Sequence, residues 1–231
     1  MTIRSLAILI ALVFPPQAAF ADACVWKLQY GDNTVYFGGT IHLLPGNDQS
    51  LPEEYQLAYE ASDVIAFETD IGKMSDPATA SKMLAYALYK DERRLSNVLQ
   101  PATYQALAKA YKEVGIPLSD QMTASYAILS LSIADLLRLG FSAEGVDPIF
   151  HAKAETDGKP IVALETIDEQ LAVIGAMGEG YEDRFVSLSL EDRSNLEEDF
   201  EVLVKAWRHG DIETFWNQTV MESMREIPEL N

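Results

Sequence analysis

Cysteine is almost absent from this sequence: Cys24 is the only one in 231 residues, so no disulfide can form within the chain. Histidine is nearly as scarce, with only His42, His151 and His209 available to any site that needs an imidazole. Basic side chains are under-represented, 17 Lys and Arg against 36 Asp and Glu, for a formal charge of -19. A surface of that sign repels nucleic-acid phosphates and anionic lipid headgroups, which argues against a nucleic-acid partner. The longest apolar run, Leu6 to Phe14, is too short to span a bilayer, so no stable membrane insertion is expected. Repeats, low-complexity tracts and long linkers are missing, and the carboxylates are too scattered to suggest a calcium array.

What remains is the composition of an ordinary folded protein, 48% hydrophobic and 23% charged. Arg4, the apolar core Leu6 to Phe14 and the small-x-small step Ala19-Phe20-Ala21 predict a signal peptide over residues 1–21. Its removal takes one base, Arg4, and no acid, moving the charge from -19 to -20. The mature chain, 22–231, is then one domain exported to a periplasm or beyond. Ala23-Cys24 is similar to the end of a lipoprotein signal, but Ala21 and Asp22 do not suit that pattern, so lipidation through Cys24 is not the favoured reading.

The patterning predicts an α/β fold, a sheet flanked by helices. Val25 to Tyr30 and Thr34 to Phe37 read as a hairpin. A helix follows from about Leu51 to Ala61, and Val64-Ile65-Ala66-Phe67 reads as a strand buried on both faces of a parallel sheet. A strand, helix and strand in this order predict a βαβ unit whose two strands end on one edge. Residues 76–140 read as a helical insertion, with helices over Pro77–Tyr89, Pro101–Val114 and Ser119–Leu139, placed to cap the strand ends. Asp147 reads as the cap of a helix with Pro148 at its first position. Pro160 to Leu164 reads as a third buried strand, and helices fill the rest: one capped by Thr166 or Asp168, a long run over 181–208 interrupted near Leu190-Glu191-Asp192, and one from Asp211 to about Met224.

Chemistry concentrates where the strands end. Gly38-Gly39-Thr40-Ile41-His42 removes side chains and then delivers an imidazole, which serves as a base or a metal ligand. Gly38, Gly39 and Thr40 are the candidate substrate-contacting residues, because glycine lets a backbone approach a ligand closely. The strand ending at Phe67 is followed by Glu68-Thr69, and the one ending at Leu164 by Glu165-Thr166, the same acid and hydroxyl twice. His42 with Glu68 suits either two ligands of a divalent cation or a base and its orienting partner; Glu165 is a further candidate carboxylate. His151, one turn inside a helix, and His209, at a helix end, read as structural.

In order and spacing, Val25-Trp26-Lys27, Tyr36 to Pro45, Phe67-Glu68-Thr69, Gly145-Val146-Asp147, Lys159 to Thr166 and Trp207 to Asp211 resemble the TraB/GumN family. That family is related to the animal Tiki metalloproteases and, more distantly, to erythromycin-esterase-like hydrolases. The resemblance implies a divalent metal-dependent hydrolase acting on peptides or proteins, with His42 matching the histidine of the first Gly-x-x-His motif and Glu68 the acid after it. It also implies an arginine segment, another strand and a second Gly-x-x-His that residues up to Asn231 do not contain. The expectation is a C-terminally shortened member, in which Cys24 has lost a disulfide partner and two ligands, fewer than the three of a catalytic zinc site, leave little turnover. Two rivals stand beside it: metal-free hydrolysis with His42 as base and Glu68 positioning it, and a non-catalytic envelope protein that binds a peptide or glycan.

Overall fold

The structure, a computed structural model, describes residues 23–217; the expected signal peptide and the far end of the last predicted helix lie outside them. Strands β1 (Val25–Tyr30) and β2 (Asn33–Gly38) form an antiparallel hairpin pairing Trp26 with Phe37 and Leu28 with Val35. Short strand β3 (Leu44–Pro45) pairs antiparallel with β5 (Phe141–Ser142), and β4 (Ile65–Phe67) pairs parallel with β6 (Ile161–Ala163). Among the described residues the sheet content is therefore three two-stranded pieces, flanked by helices as the alternation of elements predicts.

The βαβ unit expected to join the His42 and Glu68 strands is not formed. β2 pairs with β1, and the parallel partner of β4 is β6, which lies far along the chain. Continuous apolar sequence identifies a strand without naming its neighbour, and Val64 to Phe67 matched Ile161 to Leu164 as well as it matched the hairpin. Nor are β4 and β6 buried on both faces: Ala66 is exposed and Val162 is 47% exposed. One face alone meets the core, through Phe67.

The helices follow their punctuation. α1 (Glu53–Glu60) starts behind Pro52 with two acids in its first turn, where the helix dipole favours them. The insertion holds α2 (Pro77–Ala87), the single turn α3 (Leu95–Val98), α4 (Pro101–Val114) and α5 (Ala124–Arg138). Then come α6 (Val146–Asp157), α7 (Ile167–Ala176), α8 (Glu182–Asp192), α9 (Leu196–Arg208) and α10 (Ile212–Trp216). Thr166 caps α7 in a reciprocal box with Glu169, one of the two caps the sequence offered. The long acidic run breaks after Asp192, as expected.

Two cores result. One gathers Tyr55, Tyr59, Phe67, Phe150, Val204 and Trp207 beneath the hairpin base and β4; the other, in the insertion, is built on Leu95, Leu107, Tyr111, Ala127 and Leu131 and completed by Val186 of α8. The insertion is tied to the strand ends through α7, which starts just after Glu165 and meets α2 through the Lys82–Asp168 ion pair. Among the described residues no helix is long and apolar enough to cross a membrane.

Cys24 is 3% exposed within the first core, its thiol pushed up mainly by burial and further by the charge of Asp211. It packs as a small apolar side chain. That role needs no disulfide partner.

Candidate functional site

The loop after β2 is held from below. The Gly39 carbonyl accepts hydrogen bonds from Tyr55 Oη at 2.5 Å and Trp207 Nε1 at 2.8 Å, while the Gly39 amide donates to the Cys24 carbonyl at 2.8 Å. A side chain on Gly39 would stand 3.2 Å from Cys24 Cβ, and one on Gly38 would stand 3.1 Å from the Tyr55 ring. Internal packing therefore accounts for both glycines, with Gly38 exposed and Gly39 and Thr40 half-buried. Ile41 then anchors in the core at 8% exposure, and His42 follows it outward.

The first turn of α6 is pressed onto this loop. The Val146 amide donates to the Ile41 carbonyl at 3.0 Å, and a Cβ on Gly145 would overlap that same carbonyl oxygen and lie 2.6 Å from the His42 carbonyl. Only glycine allows this approach. One residue further on, Asp147 Oδ2 lies 3.1 Å from His42 Nδ1, with the carboxylate side chain 6% exposed and the imidazole 66% exposed. The cap of α6 is Gly145, not Asp147. The hydrogen bond to Asp147 is the main cause holding the His42 pKa above its ordinary value; burial opposes it, and the charges of Asp147 and Glu68 add to it.

Glu68 is thus close enough to His42 for its charge to be felt. It is exposed at the end of β4, and its backbone carbonyl accepts from the Glu165 amide at 2.9 Å as the parallel ladder continues past β6. β4 ends beside β6 rather than beside β2, and Glu165 meets Glu68 through its backbone. The repeated acid-hydroxyl step divides in role. Thr166 caps α7, whereas Thr69 is 4% exposed and its hydroxyl has no hydrogen-bond partner among the described residues.

The other two histidines make local contacts on their own helices and neighbouring rings. His151, one turn beyond Asp147 on α6, lies against the Phe67 ring with its Nδ1 3.6 Å from Glu155. The His209 ring meets the Lys205 carbonyl at 2.8 Å at the end of α9. Asp147 is the residue that sequence reasoning missed. An acid in a first helical turn is ordinarily a cap or dipole partner, and nothing in its spacing points 105 residues back to His42.

The divalent cation implied by the family resemblance has two candidate ligands, His42 through Nε2 and Glu68 through its carboxylate. Among the described residues no group of three or more His, Cys, Asp or Glu is arranged to hold a metal ion. These residues alone therefore do not fit a catalytic metal centre, which needs three protein ligands. Cavities of about 300 and 470 Å³ lie between helices, one lined by Tyr86, Tyr89, Arg93 and Glu182, the other by Asp135, Arg138 and Arg193; His42 and Glu68 line neither.

No match to the chain was found among the curated proteins or among the solved structures. A family model, the TraB/PrgY/gumN family, matches residues 24–231, a span that takes in the Gly-x-x-His loop, both acid-hydroxyl steps and the α6 turn. The chain belongs to the TraB/PrgY/gumN family.

Proposed function

We propose that this protein is a hydrolase of peptide bonds in which His42 is the water-activating base. The observation that carries the reading is the His42 ring itself, two-thirds exposed with carboxylates of two other elements acting on it. A base must reach its proton and be held in place while it does so. Nε2 removes a proton from water, and the resulting hydroxide attacks the scissile carbonyl carbon. The imidazolium, favoured by the charges of Asp147 and Glu68, returns that proton to the departing amine as the C–N bond breaks. Glu165, whose amide binds the Glu68 carbonyl, is a further candidate carboxylate. His42 and Glu68 are also the two residues that would contact a divalent cation. The exposure of His42 and Glu68 at the strand ends suits an extended chain better than an enclosed small molecule.

A second reading draws on the hairpin, whose Trp26, Leu28, Tyr30, Val35 and Phe37 are between 41% and 85% exposed. Exposed aromatic and aliphatic side chains on one surface favour peptide or glycan binding without turnover. Incubation with a peptide library, with and without a chelator, separates the readings. Cleavage that survives chelation supports the base mechanism; cleavage abolished by chelation and restored by a divalent cation supports metal dependence. Ligand retention without cleavage, unchanged in His42→Ala, supports the binding protein.

A further inference from the structure

A buried carboxylate is costly unless it is hydrogen-bonded or paired. Asp147 is 4% exposed, and its side chain faces the one imidazole of this chain that reaches solvent at the strand ends. An acid serving only the helix dipole does not require such burial, since exposed first-turn carboxylates already stabilise a helix. The approach is also enforced by the two residues before Asp147. Gly145 admits the Ile41 and His42 backbone where any other residue would collide, and the Val146 amide fixes the register by binding Ile41. Three consecutive residues of α6's start are therefore committed to the His42 loop.

We infer that Asp147 is a positioning residue for His42: by accepting from Nδ1–H it selects one tautomer of the neutral ring and turns the Nε2 lone pair outward. The assignment deepens the hydrolase reading and takes its functional meaning from it. A neutral imidazole carries one proton, and the nitrogen that donates leaves the other as the acceptor. A carboxylate can only accept, so the Nδ1 proton is required and Nε2 is left free to take a proton from water. An amide in its place can donate instead, which leaves the wrong nitrogen protonated, as when the triad aspartate of serine proteases becomes asparagine.

The test is the ring nitrogen spectrum of the ¹⁵N-histidine-labelled protein, recorded above the His42 titration and assigned with His42→Ala. The expected result is Nδ1–H as the dominant form in the native protein and as the minor form in Asp147→Asn. Asp147→Ala should also lose the preference, and the melting transition shows whether each variant is folded. A native spectrum dominated by Nε2–H overturns the inference even if both variants fail to fold, as does an unchanged Nδ1–H preference in folded variants. The readout needs no substrate. A protein with the expected tautomer that never cleaves a peptide would refute the hydrolase reading and leave the positioning role intact.

Discussion

Asp147 and His42, separated by 105 residues in sequence, meet through a 3.1 Å hydrogen bond in which the acid is buried and the base is not. This fixes the sign of one pH dependence. The folded state raises the His42 pKa, so it binds the proton more tightly than the unfolded chain does. The stabilisation is fully present below the unfolded value of about 6.5 and is lost as pH rises through the folded value. Because the imidazole is two-thirds exposed, solvent screening keeps the effect below about 1 kcal/mol. Urea midpoints of native protein and Asp147→Asn should differ more at about pH 5 than at about pH 9, with native protein favoured. An opposite slope would show that His42 is not charged against Asp147.

Gly145→Val should destabilise strongly and displace His42. The added carbons meet backbone, the Ile41 and His42 carbonyls, rather than a flexible side chain. Overpacking of this kind costs about 1–3 kcal/mol. Denaturant titration measures the loss, and a chemical-shift change at the His42 ring reports the displacement. A substitution tolerated without either effect would mean that α6 does not press on the loop.

The insertion's core predicts a local cost. Leu107 is fully buried between α4 and its neighbours, and Leu107→Ala leaves a cavity worth about 2–5 kcal/mol. Because Val186 of α8 completes the same core, the loss should appear in the main unfolding transition followed by circular dichroism. A separate early transition would show that the insertion folds as its own unit.

Divalent metal should bind weakly to the residues described. His42 and Glu68 offer two ligands, where a catalytic zinc site uses three, and no third is grouped with them. Calorimetric titration with zinc is expected to show low affinity that falls further in His42→Ala. Tight binding abolished by that substitution would place a further ligand beside the pair.

Local signals carried much of this fold. Thr166 with Glu169, the break after Asp192 and the proline starts of α2 and α4 use chemistry within a few residues, and the sequence displays them. Pairing was less legible, because an apolar run such as Val64 to Phe67 marks a strand but not its neighbour. The rim followed the same rule. His42, Glu68 and Glu165 stand out as polar residues after apolar runs, whereas Asp147 looks like any helix-start acid until the chain is folded. Gly145 stands in the sequence only as part of the Gly145-Val146-Asp147 step; its approach to Ile41 is a property of two distant segments.

The most direct measurement is the kcat/KM for peptide hydrolysis by native protein and by His42→Ala. General-base catalysis contributes about 10²–10⁴-fold, so the variant should lose at least about 100-fold while its circular dichroism spectrum shows that it is folded. Equal rates in the two proteins would contradict the role assigned to His42.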